Sequence, residues 1–232
     1  KAWGKVTYNT YLVDLGTFFS YLKDHRIIQE NPCKRVNKKS TKQDSSRFKI
    51  YEKDELTLVA NLLANDKRFF GLHVAGKMIY KYNIRPIELS RIQVSDIDFN
   101  KSLLILDASK TKNKTEARFM LDAETLILIK DLIKDAPGDW FIFGGRSKPS
   151  PTQVHPLYFG QNWKFFRKKH NLPVHLKFYA LKHTSNYYDI EVGANYEEIR
   201  QRNRHSNLQI TTLYIRERLF KNAIKPSSST LF

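Results

Sequence analysis

Between residues 7 and 24 the chain places Tyr11, Leu12, Leu15, Phe18, Phe19 and Leu22 at steps of three and four, the spacing of one apolar helix face. So little chain flanks this helix that it cannot bury the face alone. Residues 1–33 are therefore expected to be the end of a small helical domain, and the sequence, which begins at Lys1, a piece of a longer one. Residues 34–49 break the pattern with seven basic side chains against the single acid Asp44, which predicts a linker. From residue 50 to about 225 the spacing is mostly helical again. YEKDELTLVANLLAND and DKRFFGLHVAGKMIYKYN predict two helices, and Pro86 predicts the start of a short third. VSDIDF, SLLILD and TEARFML, parted by polar turn residues, predict three short strands. Helices resume at DAETLILIKDLIKD and then at PTQVHPLYFGQNWKFFRKKHN, LKFYALKHTSNYYDIEV, NYEEIRQRN and the stretch 211–223, before a Pro-Ser-rich tail at 226–232. No internal repeat and no sustained alternation intervene. The fold expected is mainly α with a small antiparallel β-sheet inserted after the third helix of the main domain.

Charge narrows what such a domain acts on. Forty Lys+Arg against 23 Asp+Glu leave a formal net charge of +17, which calls for a polyanionic partner. No run approaches the ~18 apolar residues of a membrane span, and no segment resembles a signal peptide, so a soluble, intracellular protein is expected. Cys33 is the only cysteine and lacks neighbours for a zinc site, which leaves it a buried or half-buried spacer. His and acidic residues form no visible cluster, so neither a metal site nor a cofactor is expected.

Singly, the candidate reactive residues have plain explanations. Arg85 and Glu88 could be an ion pair, Lys110, Lys112 and Lys114 solvated turn residues, His205 a helix-end residue and Tyr214 a half-buried aromatic. Their order is more informative: an Arg with an acid three residues on, a hairpin Lys, Tyr179-x-x-Lys182, His205, and Tyr214 nine residues later. NIRPIELSRIQVSDID, SKTKNKTEARFML, and YALKHT with RHSNLQITTLYI together resemble the tyrosine recombinase (phage integrase) family over residues 85–214. The helix at 7–24 and the NPC turn resemble the end of that family's core-binding domain, with the catalytic domain at 50–225.

The resemblance implies a site-specific recombinase that cuts and rejoins DNA through a 3′-phosphotyrosine, without metal or ATP. It makes Tyr214 the nucleophile and Arg85 a planar fork for the phosphate oxygens, with Glu88 orienting that guanidinium. His205 would donate to the phosphate or handle the nucleophile's proton, and a hairpin lysine would protonate the leaving 5′ oxygen. Alignment with the family's hairpin selects Lys112, with Lys110 open because a shift of two residues restores the same facing. The family's His-x-x-Arg reads Tyr179-x-x-Lys182 here. Lysine keeps a positive charge without bidentate geometry, and a tyrosine hydroxyl can donate a hydrogen bond but is no imidazole. Arg204 stands where the family often has glycine. These departures keep two alternatives open, a DNA-binding protein that does not cut and a topoisomerase-like relaxing enzyme.

Other cations are expected on the phosphate backbone, where they would fix position rather than read bases. They are Lys34, Arg35, Lys38 and Lys39 in the linker, Lys110 and Lys114 in the hairpin, Lys164, Arg167 and Lys168 on the helix WKFFRKKH, and Arg200, Arg202 and Arg204 in IRQRNRH. On that helix Trp163 and Phe166, and with them Phe165, are expected in the core. The implied partner is double-stranded DNA. Implied also are a monomer in solution that forms a tetramer on two core sites, accessory proteins that bend DNA, and a nucleoid-associated, cytoplasmic location in a prokaryotic host.

Overall fold

The computed structural model describes residues 3–40 and 49–215, and for Leu213 and Tyr214 the backbone alone. The expected tail at 226–232 and the end of the last helix lie outside the described residues. By their internal contacts the residues separate into two units, Lys1–Arg47 and Phe48–Phe232.

In the first unit, α1 runs Lys5–Asp24. It ends in a Schellman pattern, with Arg26 left-handed at φ 57°, its N–H donating to Lys23 O and that of Ile27 to Leu22 O. Asn31 then clips a 3-10 turn, Pro32–Arg35, onto the helix: its Nδ2 donates to Gly16 O (2.8 Å) and to Ser20 Oγ (2.9 Å), and its Oδ1 accepts the Cys33 N–H. Lys39 follows on the same helix, its N–H and C=O both bonded to the Asn9 side chain. Within the expected linker, Lys34 and Arg35 thus belong to this turn and Lys39 is tied to α1. Cys33 is half-buried. The apolar face predicted for α1 meets no core among the described residues of this unit: Tyr11, Leu15 and Phe18 are exposed, and Leu12, Phe19 and Leu22 are half-buried.

In the second unit, α2 (Lys53–Asn65), α3 (Phe70–Tyr82) and the single-turn α4 (Pro86–Leu89) precede the strands β1 (Ile97–Asp98), β2 (Leu103–Leu106) and β3 (Ala117–Met120). The sheet is antiparallel in the order β1-β2-β3, with Leu104 opposite Ile97 and Phe119, and Leu106 opposite Ala117. Period-two alternation sends Leu104 and Leu106 inward and leaves Met120 out. Among the described residues there follow α5 (Ala123–Ile133), α6 (Leu157–Lys169), α7 (Ala180–Glu191), α8 (Tyr196–Asn203) and α9 (Leu208–Tyr214). Helix α3 is central, packing on α2, α5, α6 and α7 through Leu72, Val74, Ala75, Met78 and Ile79. Its Gly71 lies so close to the Ser147 backbone that a Cβ would clash. Trp163 and Phe166 of α6 are buried in this core, and the Trp163 indole donates to Leu176 O at 2.7 Å. Phe165 differs from expectation: it is 65% exposed, because it falls on the opposite side of α6 from that pair.

Candidate active site

Asn83 closes α3 in the left-handed conformation (φ 54°), and Pro86 at the head of α4 forces the residue before it to be extended. Arg85, so placed, donates from Nη1 to Glu88 Oε1 (3.0 Å) and from Nη2 to Asn203 O at the end of α8 (3.1 Å). Glu88 is fully buried and accepts four donors: Nη1 and the backbone N–H of Arg85, Nη2 of Arg204, and the backbone N–H of Lys112. Burial alone would raise its pKa. The Arg204 guanidinium, then the Arg85 backbone and side chain, outweigh this and hold the carboxyl below its ordinary value.

Behind this carboxylate lies a buried amide cluster that sequence reasoning missed. Asn83 Nδ2 donates to Asn186 Oδ1 (2.9 Å), as does Asn203 Nδ2 (3.0 Å), so the ends of α3 and α8 are tied to the middle of α7. The bonded asparagines are 103 and 17 residues apart, so no local spacing signals the cluster.

The β2–β3 turn is ordered by Thr111, whose Oγ1 donates to Thr115 O (2.8 Å) and accepts the Thr115 N–H. Asn113 Nδ2 donates to Arg204 O (2.7 Å), which moors the turn to the end of α8. The two hairpin lysines part company here. Lys110 Nζ is bound to Asp96 Oδ1 and Gln93 Oε1, both at 2.7 Å. Lys112 is exposed, its ammonium has no partner among the described residues, and its backbone touches Glu88.

His205 Nδ1 is paired with the hydroxyl of the buried Thr211 at 2.9 Å, and its carbonyl accepts from Arg200 Nη1. Burial first, then the charges of Lys182, Arg85 and Arg200, pull its pKa from 6.5 to about 4, so the imidazole is neutral at pH 7. The unfolded chain takes up this proton first as pH falls. The stability His205 contributes is therefore complete above pH 6.5 and lost on acidification toward about 4. We expect His205→Asn to flatten the fall in thermal midpoint between pH 6.5 and 4; an unchanged slope would contradict the depressed pKa. Nine residues on, Tyr214 is the last residue of α9, a helix capped by Asn207 Oδ1 accepting the Ile210 N–H. Its side chain lies outside the described part.

Arg85, Thr111, Asn113, Arg204 and His205 line one open cleft of about 590 Å³. Tyr179 and Lys182 are not among the described residues that line it. Tyr179 precedes α7, stands edge-on to His183 at 5.3 Å between ring centroids, and lines another cleft with Pro86, Lys164 and Arg167. Lys182 is 3% exposed and its Nζ is 3.5 Å from Asn83 O. Burial, followed by repulsion from Arg85 and Arg204, holds its pKa well below the ordinary value.

The expected DNA contacts divide likewise. Lys34, Arg35, Lys38, Lys39, Lys114, Lys164 and Lys168 are exposed. Arg167 is half-buried, with Nη1 on Pro173 O. The three arginines of IRQRNRH are held by the protein's own acids: Arg200 by Glu197 (2.7 Å), Arg202 by Asp189, and Arg204 by Glu88. Among the described residues no group of three or more His, Cys, Asp or Glu is placed to hold a metal, and no helix is long and apolar enough to cross a membrane.

Residues 49–219 match the model of the family described as "Phage integrase family". The chain belongs to that family. It is similar to a tyrosine recombinase of Thermosipho africanus (strain TCF52B), 23% identical over 211 residues that make up 91% of this chain and 71% of the relative. Among solved structures it resembles the Tn1549 transposon integrase, in complex with transposon right end DNA, with a TM-score of 0.68 at 16% identity, covering 91% of this chain and 74% of that one. Against a lambda integrase dimer bound to a COC′ core site the TM-score is 0.64 at 14% identity, over 86% and 71% of the two chains. The expected fold, helices around a small three-stranded antiparallel sheet, is the one these integrases share. As a family member the chain is a tyrosine-type site-specific recombinase.

Proposed function

We propose that this protein cuts and rejoins double-stranded DNA at defined sites through a 3′-phosphotyrosine at Tyr214. What carries the reading is the buried Glu88 carboxylate, which gathers Arg85, Arg204 and the Lys112 backbone beside a cleft that also holds His205. In this scheme the Tyr214 phenol oxygen bonds to phosphorus as the bond from phosphorus to the 5′ oxygen breaks. Arg85 meets the charge that builds on the non-bridging oxygens. The neutral His205 accepts the phenol proton, and Lys112 gives a proton to the departing oxygen, so each proton is accounted for. Bond energy stays in the phosphotyrosine, and reversal by another 5′ hydroxyl reseals the strand. No residue is assigned to a metal or a cofactor. The exposed lysines of residues 34–39 and of α6 would hold phosphates flanking the cut.

Strand exchange extends this chemistry to two sites, each holding two protomers, with the free protein a monomer and DNA-bending proteins as accessories. Such an enzyme would work at the nucleoid in prokaryotic cytoplasm. The test is covalent trapping on a DNA whose nick beside the scissile phosphate releases the 5′ fragment. A denaturant-resistant adduct is expected, mapping by peptide mass to Tyr214 and missing in Tyr214→Phe. DNA binding without an adduct would mark a binding protein. An adduct with relaxation but no exchange between two sites would mark a topoisomerase-like enzyme.

A further inference from the structure

The reading above leaves one position of the site unfilled. Phosphate recognition in the family employs a second arginine, from the motif that here carries Lys182, and Lys182 is buried with its ammonium against Asn83 O. A compact ammonium cannot form the two parallel hydrogen bonds of a guanidinium in any case.

Arg204 has the properties Lys182 lacks. It enters from the opposite side of the site, at the residue that ends α8, and shares Glu88 with Arg85: Arg85 Nη1 holds Oε1 and Arg204 Nη2 holds Oε2. One carboxylate between two guanidiniums leaves a surplus positive charge at the edge of the cleft that both arginines line. The Arg204 guanidinium also lies over the Phe119 ring, 4.8 Å from its centroid, which steadies its plane.

Two further observations set it apart from an ordinary ion pair. Its Nε and Nη1 are buried and have no hydrogen-bond acceptor among the described residues, a costly state for donors of a charged group. Its backbone is left-handed, φ 54° and ψ 48°, a conformation that glycine adopts freely and an arginine does not. The left-handed turn is that of a helix end, as at Arg26 and Asn83, and it fixes where the guanidinium starts.

We propose that Arg204 is the second phosphate-gripping guanidinium of this enzyme, replacing from the end of α8 the arginine that the family places at the position of Lys182. The proposal rests on the recombinase reading. Lys182, on this view, is a positioning residue that fills the space behind the two arginines and holds the end of α3.

The experiment compares the intact chain with Arg204→Gly on the nicked trapping substrate. Glycine suits the left-handed backbone, so the variant keeps its turn while losing the guanidinium. Adduct formation is expected to slow by roughly 10²- to 10³-fold, the cost of one lost donor to a developing oxyanion. On a second substrate, with a neutral methylphosphonate at the scissile position, the charge that Arg204 would offset is absent, so the gap between variant and parent should largely close. An Arg204→Gly variant that cuts at the parental rate would overturn the proposal. So would an equal loss on both substrates, the mark of a purely structural role. If the parent protein forms no adduct at Tyr214, the recombinase reading itself fails and this assignment falls with it.

Discussion

Glu88→Ala should lower the stability of the catalytic unit by about 3–5 kcal/mol, the cost of removing one partner from a buried charge cluster. The carboxylate is completely buried and bonds to both Arg85 and Arg204, so the alanine variant strands two guanidiniums and two backbone N–H groups together. For a domain of this size, each kcal/mol moves the thermal midpoint by roughly 2–4 °C. Adding Arg204→Gly to Glu88→Ala should recover part of the loss, because one of the two orphaned cations goes with it. Acid titration supplies the sign. Because the folded pKa of Glu88 is depressed, its contribution is complete above the ordinary value of 4.5 and fades only as pH falls below that. The gap between parent and variant should therefore narrow in acid. A Glu88→Ala protein melting with the parent at neutral pH would show that the cluster contributes no net stability.

The same cluster explains why the sequence disclosed some parts of the site and hid others. Helices α2, α3 and α5 show their apolar spacing openly, and the three strands are short runs between turns, so both were legible. Arg85 and Glu88 were legible as a pair, being three residues apart with Pro86 between them. Arg204 was legible only as a surplus cation, because its acid lies 116 residues away. Arg202 and Asp189 repeat the problem, as do Lys110 and Asp96: a sequence counts charges but does not say which are neutralised by a distant partner. Lys182 misled for the converse reason. The family resemblance gave it a charged contact, and only the packing shows that the side chain is buried. The apolar face of α1 was equally plain in the sequence, yet among the described residues of its own unit it meets no core.

The distinction between the two hairpin lysines leads to the other large effect. Lys112→Ala should slow cleavage of an ordinary phosphodiester by roughly 10²- to 10⁴-fold, the range for losing a general acid. An alkoxide leaves poorly without a proton, whereas a thiolate leaves readily because a thiol has a pKa near ~8.5. Replacing the bridging 5′ oxygen with sulfur should therefore bring Lys112→Ala close to the parental rate. Lys110→Ala should behave differently. Lys110 grips Asp96 and Gln93, so its loss should loosen the hairpin and slow oxygen and sulfur substrates alike. Rescue by sulfur at Lys110 rather than at Lys112 would mean that the turn rearranges on DNA, breaking the Asp96 pair to bring the other lysine to the leaving group. Rescue at neither would point to a different proton donor. The fixed geometry favours Lys112, since its backbone is already tied to the carboxylate that holds Arg85, which in the proposed scheme puts phosphate grip and proton delivery on one rigid unit.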